Sequence, residues 1–93
     1  MSNEEAAFNA IMHELRRAEE KHPGWPDDPI HGAAIVAEEA GELSQKALDF
    51  FYRRSDSSED MAIEAAHAAA AAWRFLIYFY GGGDYKRQED LKS

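Results

Sequence analysis

The sequence predicts an all-α protein: an antiparallel helical bundle completed by oligomerisation. Three observations carry this. Apolar residues recur at spacings of three and four along most of the chain. Breakers gather between the periodic stretches, with Pro23, Gly24 and Pro26 in one cluster and Gly81-Gly82-Gly83 in another. The stretch Ala65 to Ala72 is interrupted only by His67, and alanine is the strongest helix former.

Each element follows in order. Ser2 and Glu5 have the spacing of a capping box, so helix 1 starts there. It runs to about Lys21, with Phe8, Ile11, Met12, Leu15 and Ala18 on one face. Residues 22–27 are a loop. Asp28 reads as an N-cap with Pro29 at the first helical position, and helix 2 runs to about Arg53. Its apolar residues, including Ala33, Ala37, Ala40, Leu43, Leu48 and Phe51, cover much of its surface. Residues 54–58 are a polar turn short enough to fold helices 2 and 3 into a hairpin. Helix 3 starts near Ser58 and ends near Tyr80, with Gly81 suited to the left-handed position that closes a helix. Small side chains let other helices approach it closely, so helix 3 is expected at the centre. Residues 1–83 form one domain. Residues 84–93 are charged and lack an apolar face, and read as a mobile tail or a short helical turn.

Composition narrows the function. With 93 residues, a single core is marginal, which favours a homodimer or homotetramer. The net charge of −8 argues against a nucleic-acid polymer as partner, because phosphate backbones are held by clustered Lys and Arg. Cysteine is absent, which excludes disulfides, zinc–thiolate sites and thiol nucleophiles. There is no signal-peptide pattern at the N-terminus, and the apolar stretches carry Glu, His or Arg. No membrane partner is expected, and the cytoplasm is the expected location.

The residues that could carry chemistry lie on helices 2 and 3. Stepping by three and four along helix 2 gives His31, Ile35, Glu39, Glu42, Lys46, Asp49 and Arg53. The same step along helix 3 gives Asp60, Glu64, His67, Ala71, Arg74 and Tyr78. If the stripes face each other, acids meet acids and cations flank them. Carboxylates with one imidazole suit a divalent cation such as Mg²⁺ or Mn²⁺. The other reading is a solvated face with pairs such as Glu42 and Lys46.

Glu38-Glu39-Ala40-Gly41-Glu42-Leu43, followed by Glu64 on an alanine-rich helix, resembles the MazG-like all-α nucleoside triphosphate pyrophosphohydrolases. The resemblance covers Trp25 to Leu76, and extends to Trp25-Pro26-Asp27-Asp28-Pro29-Ile30-His31 and Trp73-Arg74-Phe75-Leu76. It implies conversion of a nucleoside triphosphate, ribo or deoxy, to the monophosphate and pyrophosphate. It also implies a resident Mg²⁺, with Mn²⁺ as the alternative. Glu39 and Glu42 match the first ligand pair of that family and Glu64 opens the second. His67 stands where the family has Asp. It is then a ligand that favours transition metals, a hydrogen-bond donor to water or phosphate, or the mark of a weakened enzyme. Glu38 and Glu39 are the candidates for activating the attacking water. Lys46, Arg53 and Arg74 either neutralise phosphate or serve as ordinary surface cations. Trp25 stacks on a base or plugs a core or interface. The cluster Trp73, Phe75, Tyr78, Phe79 and Tyr80 reads as core and subunit interface. The rival to an enzyme is a catalytically weak MazG-like module that binds nucleotide or assembles as a helical adaptor.

Overall fold

The computed structural model describes residues 1–92, so Ser93 at the end of the expected tail lies outside it. Three α-helices, α1 (Asn3–Lys21), α2 (Pro29–Phe51) and α3 (Ser58–Tyr80), are followed by a 3₁₀ turn, Gln88–Lys92. There is no strand among the described residues. None of these helices is long and apolar enough to cross a membrane.

The caps explain where the helices start. The Ser2 hydroxyl accepts from the Glu5 N–H while the Glu5 carboxylate accepts from the Ser2 N–H, a complete capping box. Asp28 accepts from the Ile30 N–H at 3.0 Å, with Pro29 as the first helical residue. Ser57 caps α3 through the Asp60 N–H.

Two helix ends differ from expectation. The left-handed residue after α3 is Gly82, at φ +94°, while Gly81 keeps a negative φ. α2 ends two residues before Arg53, and Arg53 itself sits at φ +58°. The Arg54 N–H donates to Asp49 O and the Arg53 N–H to Phe50 O, the bond pair of a Schellman closure. This position favours glycine, and an L side chain there costs about 1 kcal/mol. Arg53→Gly is therefore expected to raise stability by up to about 1 kcal/mol, several degrees in a domain this small. Thermal melts of both proteins check it. An unchanged or lower melting temperature would mean that the Arg53 side chain contributes something the backbone loses.

α1 and α2 both pack on α3 and not on each other, so α3 is central. α2 runs antiparallel to α3, with Gly32 against Phe75 and Glu42 against Glu64. Phe8 in the first half of α1 and His22 just past its end meet neighbouring residues of α3: Phe8 packs edge-on against Trp73, and the His22 carbonyl accepts from Arg74. Thus α1 runs across α3, not along it. Among the described residues, the buried ones are Leu15, Gly32, Ala66, Ala70 and Ala71. Alanines at this crossing bring the helix axes close. Position 32 is tight for any larger residue, since the Trp25 and Phe75 rings would have to give by a few tenths of an ångström. A Cβ there would lie 3.1 Å from Trp25 Nε1 and 3.2 Å from a Phe75 ring carbon.

The segment after α3 is held more firmly than its composition suggests. Tyr85 stacks on Phe75 with ring centroids 4.6 Å apart and donates its hydroxyl proton to the Phe75 carbonyl at 2.8 Å. The Lys86 N–H donates to Asp27 O. The expected mobile tail is thus anchored at its start by one aromatic side chain, which its charged neighbours obscure in the sequence. Beyond it lies the short helical turn.

Candidate metal centre

Glu39 and Glu42 lie about one turn apart on the α2 face that meets α3, and Glu64 and His67 have the same relation on α3. The antiparallel packing brings the two pairs together. One ligand atom from each of Glu39, Glu42, Glu64 and His67 can be chosen so that all lie within 4.8 Å of one another. Ligands on opposite sides of a small divalent ion are about 4.2 Å apart, so modest closure would bring all four to one ion.

The polar atoms fit a cation better than they fit each other. Glu39 Oε2 is buried and has no hydrogen-bond partner. The nearest ring nitrogen, His67 Nδ1, is 3.7 Å away, too far to hydrogen-bond. A buried carboxylate oxygen without a donor is costly. Glu42 is the exposed member of the four. Its carboxyl pKa is raised above the ordinary range by a hydrogen bond shared with Glu64, then by the charges of Glu39 and Glu64 and by partial burial, with His67 opposing. Two carboxyl groups share a hydrogen bond only when one keeps a proton.

That shift has a stability consequence in metal-free protein. The folded pKa of Glu42 exceeds the unfolded one, so the native state holds a proton that the unfolded chain has lost. Stability therefore falls as pH rises from the ordinary carboxylate range through the raised value. Below that interval the penalty is absent, and above it the penalty is complete. Glu42→Gln is expected to melt higher than the wild type at neutral pH in chelator, with the gap closing on acidification toward pH 4. A constant gap would show that repulsion at Glu42 is not its cause.

The remaining sequence candidates are placed unevenly. Glu38 is exposed and outside the cluster. Lys46 is half-buried one turn beyond Glu42. Arg53 has left α2, so it no longer belongs to the stripe on which it was placed. Arg74 clamps the loop: its guanidinium donates to His22 O at 2.6 Å and Gly24 O at 2.8 Å, and lies over the Trp25 ring. Trp25 is an anchor as well, with its indole N–H donating to the Tyr85 hydroxyl at 3.0 Å and its ring edge-on to Phe75. Of the aromatic cluster, Trp73, Phe75 and Tyr78 are half-buried, while Phe79 and Tyr80 are exposed.

One residue escaped the sequence reading. Glu14 of α1 brings Oε2 to 2.8 Å from His67 Nε2, and its carboxylate is gripped by Arg17. Glu14 stands three residues from Ile11 and four from Ala18, so it shares the edge of the apolar face, and that was the available signal. No protein-family model, curated protein or solved structure matches this chain.

A cleft of about 520 Å³ opens beside the cluster, between the second half of α1 and the first half of α2. Glu39 and His67 form part of its wall, and Arg17, Lys21, Arg74 and Trp25 also line it. Arg74 is seven residues from His67, about 10 Å along α3. An ion held by the acids would thus face a cleft whose wall mixes Arg17, Lys21 and Arg74 with Glu14 and Glu20.

Proposed function

We propose that this protein is a metal-dependent nucleoside triphosphate pyrophosphohydrolase of MazG-like type. The observation that carries the reading is the convergence of Glu39, Glu42, Glu64 and His67 from two helices around an oxygen that lacks a donor. Those four residues would hold Mg²⁺ or Mn²⁺. When bound, the ion neutralises phosphate charge and favours ionisation of the attacking water. Glu39 would offer one carboxylate oxygen to the ion and the other to the proton of that water. Glu38, exposed and outside the cluster, is the second candidate for that task. Lys21 would supply positive charge along the cleft for the polyphosphate. The large exposed apolar side chains favour a homodimer or homotetramer.

The test is pyrophosphate release across ribo- and deoxynucleoside triphosphates, with Mg²⁺ and with Mn²⁺. One pyrophosphate per monophosphate is expected, with Mn²⁺ the better ion if His67 is a ligand, and His67→Asp should shift the preference toward Mg²⁺. A second reading is favoured by Arg74, whose guanidinium donates to loop carbonyls, and by Arg53, which lies beyond the end of α2. In it the chain is a nucleotide-binding or assembly module with little turnover. Absence of pyrophosphate on every nucleotide with both metals would select it.

A further inference from the structure

We propose that Glu14 of α1 is a positioning residue that sets the tautomer of His67 and so aims its Nδ1 lone pair at the cation. This rests on the metal-site reading above and adds a third helix to it.

The argument starts from the imidazole. Nε2 lies 2.8 Å from Glu14 Oε2, a hydrogen-bond distance. An ionised carboxylate only accepts, so the proton must sit on Nε2. In neutral imidazole the other nitrogen then carries a lone pair. That nitrogen, Nδ1, faces Glu64 Oε2 at 3.3 Å and Glu39 Oε2 at 3.7 Å. A lone pair opposite two carboxylate oxygens repels both unless positive charge lies between them, which a bound cation or a second ring proton would supply. The buried, donorless Glu39 Oε2 points to the same gap. With the opposite tautomer, Nδ1–H would donate to Glu64, and the lone pair would turn to Glu14 and repel it.

Glu14 is itself held. Arg17 Nη1 reaches both its oxygens, at 3.2 and 3.1 Å, and the Glu14 side chain is only 13 % exposed. Arg17, Glu14 and His67 thus form a chain of contacts that ends at the candidate ion. A carboxylate behind a histidine ligand fixes ring orientation and raises its basicity. The spacing of α2 and α3 alone cannot provide this, because α1 delivers the carboxylate by crossing α3 at this height.

The experiment combines long-range ¹H–¹⁵N NMR of the imidazole at pH 8, without metal, with Mn²⁺ binding followed by electron paramagnetic resonance. The wild type should show His67 protonated on Nε2. Glu14→Ala should admit the Nδ1–H form and weaken Mn²⁺ binding by about 10- to 100-fold. Glu14→Gln, whose carbonyl still accepts from Nε2–H, should recover most of both. A wild-type ring protonated on Nδ1 would overturn the proposal, and this reading needs no variant to fold. So would wild-type Mn²⁺ affinity in Glu14→Ala. Absence of Mn²⁺ binding by the wild type would instead bring down the metal-site reading and this proposal with it.

Discussion

Glu39→Ala is expected to lower pyrophosphate release by at least about 100-fold with either metal, since loss of a ligand should cost no less than loss of a residue behind one. Two roles end in that substitution. One carboxylate oxygen would hold the ion, and the other would accept the proton of the attacking water. The loss should not come from unfolding. Glu39 is one of the charges that raise the Glu42 pKa, so removing it relieves repulsion in the metal-free protein. Melting curves in chelator should therefore match or exceed those of the wild type. With Mn²⁺ at a hundredfold excess over its dissociation constant, the wild type should gain about 2.7 kcal/mol, and the variant much less. Glu38→Ala removes the second candidate base and should retain most activity. If Glu39→Ala keeps activity within about threefold of wild type, any hydrolysis has its base and its ion elsewhere.

Dilution is expected to unfold the protein. The buried apolar side chains among the described residues are one leucine and three alanines, while Leu48, Phe51, Leu76 and Phe79 are each between 47 % and 76 % exposed. Burying a leucine contributes about 1.5–3 kcal/mol. Ordering each residue costs about 1.5 kcal/mol, so so small a core leaves a lone chain with little margin. Covering the exposed side chains with a second copy would supply the missing burial. Sedimentation equilibrium with circular dichroism at low micromolar concentration should find helical oligomer and unfolded chain, but no helical monomer. A cooperative, compact monomer whose melting temperature ignores concentration would refute the expectation.

The helices were legible because their signals are local. Ser2, Asp28 and Ser57 supply acceptors at the helix starts, and Pro29 fits only a first turn. The position of Gly81 relative to Gly82 was not legible, because adjacent glycines are equally able to adopt positive φ. Arg53 was misplaced for the converse reason. Nothing in its side chain announces a left-handed backbone, and the helix stops there through carbonyls of Asp49 and Phe50.

The candidate site divides along the same line. By itself the sequence determined that Glu39 and Glu42 share one face of a helix, that Glu64 and His67 share one face of another, and that a short turn folds the two helices together. Periodicity and loop length suffice for that. The tertiary structure alone decided what meets those faces. It brought Glu14 to His67, committed Arg74 to the carbonyls of His22 and Gly24, and seated Tyr85 between Trp25 and Phe75. Helical spacing states which side chains point the same way. It carries no record of the angle at which α1 crosses α3, and that crossing places a carboxylate from the first helix behind the histidine of the third.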